Sequence, residues 1–239
     1  MSPLLNNHFA PVTFRFGFVE SPFPRLCEAF RHWQEDLDAK FGTKTEFRSA
    51  VAPLATALLN LEPLTTPLER YLLVETRSSW TAIFANGLMA NDVSSPVSYL
   101  PGVLNCRGLE VGSAPDFGDA GRKDGIRRWG HTLLALYGPE KTDWLNRIRY
   151  LSVSNDVSGW SFSANGEVQF FEEQEQYTNR SIRERFTGEM LERYCRALGI
   201  ELNDAEFYGP ETYAIVRTGQ TFRGAVSMSI AEARSRLPL

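Results

Sequence analysis

Three carboxylates, Glu172, Glu173 and Glu175, crowd the segment QFFEEQEQY beside Phe171 and Tyr177. Two carboxyl groups flanking one bond are the machinery of glycoside hydrolysis. A run of acids just before a helix is more often a solvated surface. The wider region favours the second reading. From Glu140 to Glu211 there are 14 acids against 8 bases, a net of −6, so the rest of the chain carries +2 of the total of −4. Trp144, Trp160, Phe171 and Tyr177 are interspersed among those charges. Acidic side chains with aromatic neighbours suit a surface that meets a basic partner. Glu172, Glu173, Glu175 and Tyr177 are therefore the candidate partner-binding residues. The bland alternative is that the aromatics are core and the charges only solubilise.

Other reactive side chains are scattered. Cys106 precedes Arg107, a neighbour able to lower a thiol pKa, while Cys195 falls on an apolar helical stripe where thiols are inert packing. His8, His32 and His131 are far apart, and a metal centre needs such ligands to converge, so no metal and no cofactor is expected. Ser152, Ser154 and Asp156 near His131 make a conceivable hydrolase set, although Ser in a strand and Asp in a turn are commonplace. The chain has no G-x-S-x-G elbow, no phosphate-binding G-x-x-x-x-G-K-[ST] loop, no G-x-G-x-x-G, no H-E-x-x-H and no C-x-x-C.

Composition narrows the class. The chain has 239 residues, 43% hydrophobic and 23% charged, as in ordinary globular proteins. This reads as a single domain over 1–239, with residues 1–66 a conceivable N-terminal subregion. A net charge of −4 argues against a general nucleic-acid binder. No apolar run is long enough to span a bilayer, so no membrane partner is expected. The first residues, MSPLLNNHFAPVTF, lack the basic and apolar regions of a signal peptide. Three widely spaced cysteines do not make a disulfide framework, which points to the cytoplasm.

The elements that must hold the acidic segment can be read from periodicity. Alternating aromatics over Val12–Glu20 predict a strand, and Ser21-Pro22-Phe23-Pro24 opens a helix that Gly42 ends. Thr45–Val51 reads as a short strand and Leu54–Leu61 as a short buried helix. Tyr71–Glu75 and Trp80–Ala85 read as a hairpin. Val93–Leu100 reads as a short helix, Val103–Gly112 as a strand, Ser113–Gly125 as a polar mobile loop, and Arg127–Tyr137 as a long strand. Glu140–Asn146 reads as a helical turn. Ile148–Ser154 turns through Asn155–Gly159 into a strand that places Trp160 and Phe162 on one face, with Trp160 its core anchor. Asn165-Gly166 is a strong hairpin signal, predicting that Val168, Phe170 and Phe171 return as a third strand. Thr187 caps a helix whose apolar stripe is Met190, Leu191, Tyr194, Cys195 and Leu198, closed by Gly199. Thr212–Thr218 reads as a strand, and Ser229 with Glu232 as a capping box. Central strands with flanking helices predict an α+β fold, a mostly antiparallel meander with one face covered by helices.

Three of these stretches, YLLVETRSSWTAIFAN (71–86), NDVSGWSF (155–162) and RERFTGEMLERYCRALGI (183–200), resemble an uncharacterised family of bacterial soluble proteins. More loosely, they resemble the immunity proteins of bacterial polymorphic-toxin and type VI secretion systems. The likeness covers most of Tyr71–Ile200 and brings no functional residue with it. It implies a non-catalytic cytoplasmic binding protein that neutralises a cognate toxin, one with a basic face, by occluding its active site. The alternative function is a hydrolase or transferase acting on a small molecule. A third is an adaptor that binds through an exposed sheet edge.

Overall fold

The computed structural model describes residues 5, 8–66, 70–88, 93–117, 129–142, 146–218 and 225–237. Its strands are β1 (Arg15–Val19), β2 (Lys44–Val51), β3 (Leu64–Thr65), β4 (Arg70–Thr76), β5 (Thr81–Ala85), β6 (Gly108–Ala114), β7 (His131–Tyr137), β8 (Arg147–Asp156), β9 (Gly159–Gly166), β10 (Tyr208–Thr218) and β11 (Ser227–Met228). The helices are α1 (Phe23–Phe41), α2 (Leu54–Ala57), α3 (Ser94–Leu104), α4 (Gly188–Ala197) and α5 (Ile230–Ser235). Nine strands form one sheet in the order β2-β10-β4-β5-β1-β6-β7-β8-β9, and every neighbouring pair is antiparallel. From β6 to β9 the chain simply meanders. The first 66 residues place β1 in the middle of the sheet and β2 at one edge. The fold is α+β.

The sheet is buried on both faces, because apolar residues fill both parities of the central strands. Leu72 and Val74 of β4 point to one core while Leu73 points to the other. Likewise Leu134 and Leu136 of β7 face one way, Ala135 and Tyr137 the other. On the first face α2, α4 and α5 deliver Ala57, Leu191, Tyr194, Ile230 and Ala233. On the second, α1 brings Leu26 and Phe30, and α3 brings Val97 and Leu100. The expectation of a single covered face therefore gives way to two. A strand whose apolar residues are continuous cannot leave either face in water.

α3 lies unusually close to the sheet. A Cβ on Gly108 would sit 2.0 Å from the carbonyl oxygen of Val97, so only glycine fits there. The helix itself extends beyond the predicted Leu100 to Leu104 and keeps Pro101 inside it. It stops at Asn105, which takes the left-handed conformation at φ 51. That extension absorbs Val103 and Leu104, so β6 begins at Gly108 rather than Val103. Ser113 and Ala114, expected in a loop, close β6; residues 118–125 of that loop and 127–128 of the next predicted strand lie outside the described residues. Residues 139–142 form no helical turn, and 143–145 are likewise outside.

The best-capped helix is where the sequence places it. Thr187 Oγ1 accepts a hydrogen bond from the Met190 amide at 3.3 Å, and Met190, Leu191, Tyr194 and Cys195 are buried. Ser229 and Glu232 form the full capping box of α5. The predicted third strand after Asn165-Gly166 does not exist. β9 is the sheet edge, and Gly166, at φ 91, turns the chain away over Ile148, whose carbonyl oxygen would lie 2.2 Å from any Cβ there. The other edge, β2, carries Lys44, Glu46 and Arg48, charges that discourage strand addition.

The expected core anchor, Trp160, is only partly buried, and the fully buried tryptophan among the described residues is Trp80. Trp160 is half-buried, with the Arg183 guanidinium 5.4 Å from its ring centre. Trp80 is buried at 1% exposure, and its indole N–H donates to the carbonyl of Leu198 at 3.0 Å, tying the end of α4 to the β4–β5 hairpin. Trp80→Ala should cost about 3–5 kcal/mol, and Trp160→Ala clearly less. Thr187→Ala should cost about 1 kcal/mol. Urea midpoints of the three variants check the order; a larger loss at Trp160 than at Trp80 would contradict the packing.

Candidate partner-binding surface

Between β9 and α4 the chain forms a connector over 167–187, and this contains every candidate residue of the acidic segment. Its fixed point is Glu172. The carboxylate is fully buried, and the Arg149 guanidinium that meets it is 4% exposed. Arg149 Nε and Nη2 donate to the two carboxylate oxygens at 2.9 and 2.6 Å, and Nη1 donates to the Gly166 carbonyl at 3.0 Å. The Tyr177 hydroxyl and the Gln169 amide donate to the same carboxylate at 2.9 and 2.8 Å. All charged atoms are thus satisfied, as a buried ion pair requires. Glu172 is consequently no exposed charge, contrary to its expected place on a solvated face. The sequence offers no local sign of this, because its partner lies 23 residues upstream on β8.

Around that pair the connector is ordered by aromatics. The Tyr194 hydroxyl of α4 accepts from the Glu173 amide at 2.8 Å and lies 3.2 Å from the Tyr177 hydroxyl. Rings of Phe162 and Tyr177, and of Phe171 and Tyr194, pack at 5.3 Å. Burial, then the hydrogen bonds to Tyr194 and Glu172, push the Tyr177 hydroxyl well above its ordinary pKa, so it stays protonated. Tyr177 is therefore a half-buried brace more than a projecting anchor. Glu173 is partly exposed and held by Arg193 through two bonds of 2.7 Å, which lower its pKa. Glu175 is exposed at the start of a short 3-10 turn, Gln174–Thr178.

The residue that sequence reasoning missed is Phe170. It was expected inside a strand, yet its side chain is 82% exposed, beside Val168 at 44%. Its ring meets the edge of Phe171 at 5.2 Å, and Phe171 is packed on the core. Glu167, Glu173 and Glu175 stand around it in sequence. Next to Glu167 opens a groove of about 630 Å³, walled by Pro139, Glu140, Arg147, Ile148 and Asn165. Phe170 is thus an exposed aromatic in a carboxylate-rich segment whose next residue is packed on the core.

The remaining chemistry does not assemble among the described residues. Ser154 lies directly across from His131 in the β7–β8 ladder, but its hydroxyl is 3.4 Å from that of Ser161. His131 Nδ1 faces the Trp129 carbonyl at 3.4 Å, and burial lowers its pKa. Asp156 accepts from the Ser158 amide at 2.7 Å, closing the hairpin turn. Burial, with Glu20 nearby, pushes the Cys106 thiol up to about 11, and Arg107 is bound to Glu20 at 2.6 and 2.8 Å instead. Burial also raises the Cys195 thiol. No group of three His, Cys, Asp or Glu suited to a metal ion occurs among the described residues. No described helix is long and apolar enough to cross a membrane.

No family model matches the chain, and comparison with curated proteins and with solved structures likewise finds no match.

Two outcomes follow from the clamp. Glu172→Gln should destabilise by about 3–5 kcal/mol, since it strands the Arg149 charge, and Arg149→Met with Glu172→Met should recover much of the loss. Denaturant melts of the single and double variants decide this; equal losses would contradict it. Glu173 has a depressed folded pKa, so its contribution is present above the ordinary value of 4.5 and lost as pH falls through the folded pKa. Glu173→Gln should then cost about 0.2–1 kcal/mol at neutral pH, given its partial exposure, and almost nothing in acid.

Proposed function

We propose that this chain is a non-catalytic binding protein, an immunity protein of the bacterial cytoplasm that neutralises a cognate toxin by covering its active site. The observation that carries the reading is Phe170, an exposed ring on an acidic connector clamped to the sheet. Three things support it together. The carboxylates of Glu167, Glu173 and Glu175 favour a basic partner and would steer its approach. The Arg149–Glu172 pair and the tyrosine brace remove the cost of ordering the segment on binding. The resemblance of residues 71–200 to toxin-immunity proteins supplies the biological class.

The alternative, a hydrolase or transferase around His131, Ser154 and Asp156, has less support. Each of the three side chains points to a different local partner, with no nucleophile–base contact.

The test is direct if a toxin gene lies beside this one. The purified toxin should bind the protein and lose its activity. Phe170→Ser should weaken binding about thirtyfold or more, as expected for an aromatic anchor. Glu167→Lys with Glu175→Lys, both at exposed positions, should slow association and flatten its salt dependence while leaving the thermal midpoint near wild type. Association kinetics at two ionic strengths read both effects. Unchanged rates and affinity in all variants would place the interface elsewhere.

A further inference from the structure

The two edges of the sheet are built differently. β2 carries Lys44, Glu46 and Arg48 along its length. β9 reads GWSFSANG and holds neither a charge nor a proline over its eight residues. Charges, prolines and short length are the devices that keep an edge from pairing with another chain, and β9 has none of them.

The hydrogen bonds show which backbone groups point outward. The Glu167 amide donates to the Ile148 carbonyl at 2.9 Å, which makes 148 and 167 a bonded pair continuing the β8–β9 ladder. Bonded and non-bonded pairs alternate along an antiparallel ladder, so Asn165, Ser163 and Ser161 bond β8. The Asn155 amide donates to the Gly130 carbonyl on the β7 side at 2.8 Å, as the same alternation requires. Trp160, Phe162 and Ala164 then turn their N–H and C=O groups away from the sheet. No other described residue bonds these groups. Arg183 and Arg185 stand over the Trp160 and Phe162 rings at 5.4 and 5.9 Å, but the turn Ile182–Glu184 makes no backbone bond to β9. An open row of this kind is completed by the backbone of another extended strand.

The strand's own sequence fits it to itself. Two copies set antiparallel about a two-fold axis at Phe162 pair Trp160 with Ala164 of the second copy, and Phe162 with its own equivalent. Each pair exchanges two bonds, about six in all. A shift of two residues either way leaves one of the three outward residues unmatched. On the face toward α4 a large side chain meets a small one, Trp160 against Ala164. On the other face Ser161 lies opposite Ser163, so no charge is buried.

We propose that β9 pairs with β9 of a second copy of this chain, antiparallel about a two-fold axis at Phe162, to give one continuous sheet across a homodimer. The pairing uses the strand's edge and stands whatever the connector binds. One strand pair lies at the small end of specific interfaces, under about 1,200 Å², so the dimer should dissociate on dilution.

The test is sedimentation of the full-length protein over a dilution series, at about 0.15 M salt so that Arg183 and Arg185 are screened. The mass should rise from 27.0 kDa toward twice that value with concentration. Ala164→Pro removes an outward N–H and leaves the bonds to β8 in place, so it should weaken the dimer about tenfold or more. Ser161→Lys with Ser163→Lys sets like charges opposite each other and should weaken it by about as much, whereas Ser161→Lys with Ser163→Glu sets opposite charges there and should restore it. Ser161 is exposed and Ser163 partly so, and thermal midpoints near wild type confirm folding. The serine exchange decides the matter if the proline disturbs β9. A mass of 27.0 kDa at every concentration overturns the proposal. So does a dimer indifferent to Ala164→Pro and to the lysine pair, or a lysine–glutamate variant no tighter than the lysine pair.

Discussion

A guanidinium on β8 and a carboxylate 23 residues later, both removed from water, fix the connector between β9 and α4 to the sheet. Desolvating two charges costs several kcal/mol each before their attraction returns anything. The cost is tolerable only because the pair is bidentate and its remaining lone pairs are taken by Tyr177 and Gln169. The consequence is positional. Glu172 can sit in one place alone, so the chain after Gly166 must leave the sheet edge and cross over the face. Phe171 and Tyr177 then reach the core, and Thr187 arrives where α4 can start. An apolar pair would hold the segment with similar energy but would not fix which carboxylate or which oxygen is bound.

The sheet supplies the platform for this clamp. Its two faces are both closed, by α1 and α3 on one side and by α2, α4, α5 and the connector on the other. Trp80 links the layers, bonding the end of α4 from the start of β5. Close approach of α3 depends on the missing side chain of Gly108. The result is a slab whose interior is committed to packing.

What the sequence disclosed, and what it hid, follows from the range of each signal. Local signals were legible: the Thr187 cap, the Ser229 capping box, the Gly42 stop and the β8–β9 hairpin all depend on neighbours a few residues apart. The α+β class was legible from the mixture of periods. Long-range facts were hidden. Covering of the second face by α1 and α3 depends on topology, since β1 enters between β5 and β6. Asn165-Gly166 carries the chemistry of a hairpin turn, yet Gly166 is used for a close crossing over Ile148 at an edge. Glu172, Glu173 and Glu175 look alike in sequence. The first is buried by a partner on another strand, the second is half-held by Arg193, and the third is free in solvent. Val168 and Phe170 alternate as strand residues do, but after Gly166 there is no neighbouring strand for them to join.

Exposure alone does not mark a binding residue, and the exposed apolar side chains of this protein separate on that point. Val157 is 92% exposed, but it stands at the tip of a hairpin turn held by Asp156 and Ser158, with no packed element behind it. Val51 is exposed at the end of an edge strand whose last four residues, Arg48 to Val51, are all exposed. Phe170 differs because its neighbour Phe171 is packed against Tyr194, and the segment carrying both is pinned by a buried ion pair. Tyr99 differs because Trp33 stacks on it and Phe30 supports Trp33. A ring already held in place loses little freedom when a partner covers it, so more of the burial energy appears as affinity. The same rigidity serves specificity, since a fixed ring rejects surfaces that do not match its orientation. By this criterion the connector holds Phe170 in place ahead of any partner, whereas Val157 and Val51 are only exposed.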